Sequence, residues 1–220
     1  MALELQYYGI PIFYFFVALS LILPRIPVVG KFFSTINTGI HEFGHAVMTL
    51  ILDGKVVRIE LNKDTSGITE SSNIKSKFAA FLVAISGYLT ASTAAFIAAY
   101  LVNSNLSRAL LIALSIIFFV MLIFWIRNIY GILWGLPFCF FNGYLIYTES
   151  SITIYFSLFY ATTMLIESLF STIEQLFIVI KNPNQLCDAT NLKKITGIPS
   201  FIWALLFIVF AVSCCYFSLF

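Results

Sequence analysis

Two histidines occur in the 220 residues, four positions apart, with a glutamate directly after the first: His41-Glu42-Phe43-Gly44-His45. On an α-helix, residues i and i+4 stand one above the other on a single face, so both imidazoles can offer a nitrogen to one cation. HExxH on a helix is a zinc pattern, with Zn–N bonds of about 2.0–2.1 Å. Glu42 projects onto the neighbouring face, where its carboxylate can accept a proton from water instead of binding the ion. The plainer reading is a pair of histidines satisfied within a core. It leaves unexplained why a carboxylate and two imidazoles stand in an otherwise apolar segment, since a charged group near a bilayer centre costs about 2.5–3.5 kcal/mol on insertion scales. A metal site supplies the compensation.

Catalytic zinc takes three protein ligands and keeps one position open, so another donor must come from elsewhere in the chain. Glu167, Glu174 and Asp188 are the candidates, because Glu60, Asp64 and Glu70 fall in a connector that water already solvates. Residue chemistry alone ranks the three equally.

The elements that must position these groups are membrane helices. The chain is 60% hydrophobic and 10% charged, where a soluble domain has about 25% charged residues. Its mean hydropathy is +0.98. This composition excludes a soluble globular domain, and the bilayer is the expected solvent for most of the protein. The net charge of +2 is made of singly scattered Lys and Arg residues, so nucleic acid is not an expected partner. Cys139, Cys187, Cys214 and Cys215 show no metal-type pairing and read as small apolar filling. Residues 1–9 carry no positive charge, so the first apolar run reads as a permanent span and not as a cleaved leader.

Cutting at charges and turn formers gives about seven apolar segments, near 10–23, 32–52, 78–102, 109–126, 129–147, 152–180 and 199–219. The expected fold is an all-α polytopic membrane protein, residues 1–220 forming a single integral membrane domain. The sixth segment is too long for one perpendicular crossing and must tilt, kink or leave the membrane. One connector differs in kind. Over 55–70 the residues alternate, with Val57, Ile59 and Leu61 on one face and Arg58 and Glu60 on the other, ahead of Asn62-Lys63-Asp64-Thr65-Ser66-Gly67. This is a β-hairpin signature at a membrane surface. A third-ligand segment at 181–198 contains Pro183, Asn184 and Gly197, which break helix and let the chain dip back toward the histidines. His45 and His41 lie eight and twelve residues inside Asp53, or roughly 12–18 Å deep. Water must reach them, and Asn37, Thr38, Thr90 and Ser92 are polar enough to line a path or to join helices.

These residues carry a resemblance. HEFGH on a membrane helix is followed by Gly54-Lys55-Val56-Val57-Arg58-Ile59-Glu60-Leu61 and Ser66-Gly67-Ile68-Thr69. Further on come Ser86-Gly87-Tyr88-Leu89, Ile126-Arg127-Asn128-Ile129-Tyr130-Gly131, Cys187-Asp188-Ala189-Thr190-Asn191-Leu192, Thr196-Gly197-Ile198-Pro199 and Trp203. Together they resemble the site-2 protease family of intramembrane zinc metalloproteases, in particular its small bacterial-type members without a PDZ domain. The resemblance implies a zinc metalloendopeptidase that cleaves in or near a transmembrane segment of a membrane-protein substrate. It implies His41, His45 and Asp188 as zinc ligands and Glu42 as general base. The family aspartate is usually followed by Gly, whereas Ala189 follows Asp188 here. Two other readings compete: a non-proteolytic pseudoenzyme or membrane-complex subunit with a structural zinc site, and a transporter using intramembrane His and Glu as relays. No residue pattern identifies a substrate or a regulatory membrane partner.

Connectors of seven spans fall alternately on two sides. The first, third and fifth hold Arg25, Lys31 and Arg108, whereas the second, fourth and sixth hold Lys55, Arg58, Lys63, Lys75, Lys77, Arg127, Lys181, Lys193 and Lys194. The positive-inside rule then makes the hairpin cytosolic and the N-terminus extracytoplasmic, in a plasma or inner membrane. Single-cysteine labelling in intact cells should therefore find Lys63→Cys protected from an impermeant reagent and Arg108→Cys reactive. The opposite pattern would invert the orientation.

Overall fold

The computed structural model describes residues 6–7, 10–27, 29–148 and 152–218. Most of residues 1–9 and the last expected span residue, Leu219, lie outside the described set. In hydrocarbon every backbone N–H and C=O must be satisfied within its own segment, so the apolar runs become helices. In chain order these are α1 (Ile12–Ile22), α2 (Val29–Ile51), α3 (Lys77–Asn103), α4 (Ser107–Phe124), α5 (Ile129–Thr148), α6 (Ile152–Lys181), α7 (Asp188–Thr196) and α8 (Ser200–Ser218). Strands β1 (Gln6–Tyr7) and β2 (Ile10–Pro11) pair briefly ahead of α1, and β3 (Lys55–Leu61) and β4 (Gly67–Ser72) form the hairpin between α2 and α3.

Five helices, α3, α4, α5, α6 and α8, are long and apolar enough to cross a membrane, and a sixth span results if Ile12–Arg25 and Val29–Ile51 count as one broken crossing. The expected count of seven is not reached. Helix α1 has 11 residues, about 16 Å, too short for a hydrocarbon core of about 30 Å. A 3₁₀ turn over Leu23–Arg25 with Pro24 ends it, and α2 departs at 101°. Asn37, Thr38, His41, Glu42 and His45 lower the hydropathy of α2 itself. Helix α6 runs unbroken for 30 residues, about 45 Å, so it must tilt or extend beyond the hydrocarbon.

Helix α3 lies at the centre, packed against α2, α6 and α8, and α6 in turn meets α1 and α8. On the far side of α2, Phe118, Trp134 and Phe138 pack ring to ring at 4.8–5.0 Å, and the Trp134 indole donates to the Phe32 carbonyl at 2.8 Å. Ser20 joins α1 to α6 through the Thr162 and Thr163 hydroxyls at 2.8 and 3.0 Å. All four cysteines are free, and Cys139 and Cys215 pack against the core.

The hairpin is antiparallel, pairing Lys55 with Ser72 and Leu61 with Gly67, with a register shift between Val56 and Arg58. Simple alternation predicts Val57, Ile59 and Leu61 on the inner face. The shift turns Val57 outward, to 43% exposure, and buries Val56 with Ile59 and Leu61 instead. A bulge advances the side-chain phase by one residue, which period-2 reading cannot anticipate. The outer edge of β3 is occupied by the connector between α4 and α5. The Ile59 N–H donates to the Trp125 carbonyl at 2.8 Å and the Arg127 N–H to the Ile59 carbonyl at 3.2 Å. The Asn128 carboxamide accepts from the Leu61 N–H at 3.2 Å and donates to the Leu61 carbonyl. Of the hairpin's two strands, β4 has no backbone partner on its outer edge among the described residues. The connectors after α2 and α4 thus meet at one end of the bundle. Asn128→Ala should leave both polar groups of buried Leu61 unpaired, at a cost of about 1–3 kcal/mol each. That predicts a lower thermal unfolding midpoint for the purified protein; an unchanged midpoint would show that the clamp is dispensable.

Candidate metal centre

Helical periodicity stacks His41 and His45 on one face of α2, and three neighbours complete their surroundings. The His45 Nδ1 lies 2.7 Å from the Val83 carbonyl of α3, with the Ser86 hydroxyl donating to that same carbonyl. This contact orients the ring and leaves Nε2 facing inward, the second-shell arrangement found at metal-binding histidines. The His41 Nε2 approaches the His45 Nε2 to 3.0 Å. The third group arrives from α7: Asp188 Oδ2 stands 3.1 Å from the His41 Nε2 and 3.3 Å from the His45 Nε2.

These three are the one group of His, Cys, Asp or Glu side chains among the described residues arranged to hold a metal ion. A tetrahedral ion with bonds of 2.0–2.1 Å spaces its ligand atoms about 3.3–3.4 Å apart. The observed separations of 3.0, 3.1 and 3.3 Å therefore fit one small divalent cation with little adjustment. The donor set, two imidazoles and a carboxylate, suits zinc. Burial would push the Asp188 carboxyl up, but the imidazoles of His45 and His41 outweigh it and hold the carboxyl well below the usual range.

Asp188 reaches this depth because α6 ends at Lys181 and α7 begins at Asp188 itself. The Thr190 hydroxyl ties the start of α7 by accepting from the Cys187 N–H and lying 2.8 Å from the Gln185 carbonyl. Ala189, which stands where a glycine was expected, is fully buried against Val179 and Ala204. A small side chain meets that requirement as glycine would. The other two acidic candidates are not brought to the histidines. Glu167 pairs with Arg25 at 2.9 Å, and Glu174 is exposed on α6.

Glu42 is buried but outside the trio. Its Oε2 accepts from the Thr69 hydroxyl of β4 at 2.7 Å, and the Gly67 backbone closes over the carboxylate, where an added Cβ would lie 2.5 Å from Oε1. The hairpin thus packs on the Glu42 carboxylate and not on the trio. Of the polar residues expected near a water path, Thr38 donates to the Thr65 carbonyl at 2.7 Å and Asn37 reaches Ser171 at 3.5 Å. Both serve as contacts between elements.

A family model described as peptidase M50B-like matches residues 12–218. The chain belongs to this family. No curated protein and no solved structure matches the chain. This is the site-2 protease family, its membership accords with the several apolar helices of a multi-pass membrane protein, and the match spans every element that builds the centre.

Residue reading assigned no role to Gly67, Thr69, Val83 or Gly87. The signal for Gly87 is a glycine deep inside a long apolar helix, which costs about 1 kcal/mol against alanine and so needs a reason. The reason is contact: a Cβ at Gly87 would lie 2.5 Å from both His41 Cε1 and His45 Nε2. In this M50B-like chain, Gly87→Ala should weaken zinc affinity by about 10–100-fold, the range for disturbed second-shell support. Titration of metal-depleted protein measures it, and wild-type affinity would refute the contact argument.

Proposed function

We propose that this chain is an intramembrane zinc metalloprotease that hydrolyses a peptide bond in or beside a transmembrane segment of another membrane protein. The observation that carries the reading is the pairing of a three-donor metal trio with a separate buried carboxylate. His41, His45 and Asp188 would hold the ion, and Glu42 stands apart, hydrogen-bonded to Thr69. A purely structural centre has no use for a buried glutamate kept out of the ligand set. When bound, zinc supplies Lewis acidity for the scissile carbonyl and lowers the pKa of water toward about 7.

The chain's own residues do the rest. Glu42 accepts a proton from the attacking water and returns it to the departing amide nitrogen as the C–N bond breaks. The Thr69 hydroxyl fixes the Glu42 carboxylate, so the base is oriented before substrate arrives. A helical substrate hides its carbonyls in i to i−4 bonds and must be extended to react. The edge of β4 can take such a segment by strand addition, since the edge of β3 is occupied, and Thr69 places that edge next to Glu42. The orientation proposed from charge, with the hairpin cytosolic, does not depend on α1, because the nine cations all lie after α2.

The test is Glu42→Gln, which keeps size and helix propensity. The purified protein goes into phosphatidylglycerol vesicles with a single-span peptide carrying a helix-breaking Asn-Pro pair beside its apolar segment. The wild type should cleave this peptide and lose activity on chelation. Glu42→Gln should retain zinc while cleavage falls by about 10²–10⁴-fold. Cleavage that survives chelation, absent wild-type cleavage, or equal rates for the two proteins would overturn the reading.

A further inference from the structure

Tyr88 has no part in the assignments above, yet its ring lies directly on a ligand. It packs edge-to-face on His41 at 4.5 Å between centroids, and Phe207 covers it from α8 at 4.8 Å. The ring sits one residue beyond Gly87, the glycine on which both imidazoles close. Its hydroxyl makes no hydrogen bond among the described residues, and the residue is only partly buried. A phenol at the edge of a membrane-embedded site ordinarily finds a partner, because an unmet O–H there is costly.

Several other hydroxyls around the centre are committed. Thr69 donates to Glu42, Ser86 to the Val83 carbonyl, Thr38 to the Thr65 carbonyl and Thr190 to the turn before α7. No Lys or Arg pairs with any member of the trio among the described residues, and Arg25, the cation at the α1–α2 bend, is held by Glu167. Hydrolysis of a peptide places negative charge on the carbonyl oxygen, and a donor aimed at that oxygen is among the largest contributions to such reactions. Tyr88, whose ring lies on His41, is an uncommitted donor beside the trio.

We infer that Tyr88 is a catalytic residue whose phenolic O–H donates a hydrogen bond to the scissile carbonyl oxygen as charge develops on it. This rests on the proposed protease reading. Water oxygen bonds to the carbonyl carbon, Glu42 takes the water proton, and the carbonyl oxygen gains the electron pair of its π bond. When the C–N bond breaks, Glu42 delivers the proton to nitrogen and the carbonyl reforms. Tyr88 stays protonated throughout, so its contribution is electrostatic.

Tyr88→Phe removes one oxygen and keeps the ring on His41. The vesicle assay with the single-span peptide should show kcat lowered by about 10²–10³-fold, the range for losing one such donor, with KM nearly unchanged. Zinc content and the thermal midpoint should match the wild type. A phosphinic version of the peptide, which mimics the tetrahedral carbon, should bind Tyr88→Phe more weakly by a similar factor. Wild-type kcat in Tyr88→Phe, or loss of zinc in that variant, would overturn the assignment, the second making the hydroxyl structural. If Glu42→Gln is silent while Tyr88→Phe cleaves normally, the protease reading stands and only Tyr88 falls. Should Glu42→Gln cleave normally, both fall.

Discussion

Two imidazoles and a carboxylate within 3.3 Å of one another, at membrane depth, are the constraint that organises this molecule. Charge in a low-dielectric interior is tolerated only when it is paired, hydrogen-bonded or bound to a metal. The chain meets that condition by bringing three elements to one point. Helix α2 supplies the histidines, α3 supplies the Val83 carbonyl and the bare surface of Gly87, and α7 returns from the end of α6 to supply Asp188. Two of the three would be poor membrane segments alone: α2 carries too many polar groups, and α7 has nine residues. They are stable together because each satisfies what another leaves open.

The hairpin extends the same logic outside the helices. The outer edge of β3 is bonded to the connector between α4 and α5 through Ile59, Arg127 and Asn128, which fixes the hairpin in place. The fixed hairpin then sets Thr69 on Glu42. Orientation of the Glu42 carboxylate therefore traces back to a connector far from it in sequence. Among the described residues the same arrangement leaves β4 as the hairpin's open strand edge and places it beside Glu42. An extended peptide arriving there would meet preset groups, and little reorganisation would remain for the reacting complex.

His41, Glu42 and His45 were legible from spacing alone, because a helical repeat is a local property and i, i+4 neighbours face each other in any α-helix. The apolar runs, the hairpin and the break before the last helix were legible for the same reason: lipid solvation, alternation and Pro or Gly punctuation act over a few residues. The number of spans was not. Whether 11 apolar residues cross alone or fold against the next helix depends on what they pack on, and here α1 is bonded to α6 through Ser20. The inner face of β3 escaped the alternation rule because a single bulge reverses it, and the bulge answers to packing beneath the hairpin.

The choice among Glu167, Glu174 and Asp188 shows the division most clearly. By residue chemistry all three are carboxylates able to bind zinc, and only the family resemblance favoured one. Tertiary structure separates them: Glu167 is consumed by Arg25, Glu174 lies on an exposed part of α6, and Asp188 is carried to the histidines by the fold-back of α7. Sequence by itself determined the chemistry on offer and the lipid solvent in which it must work, since both follow from side-chain types at short separations. Only the three-dimensional path of the chain decided which distant carboxylate joins the pair and which glycine must stay bare. Those depend on contacts between residues that are neighbours in space and far apart along the chain.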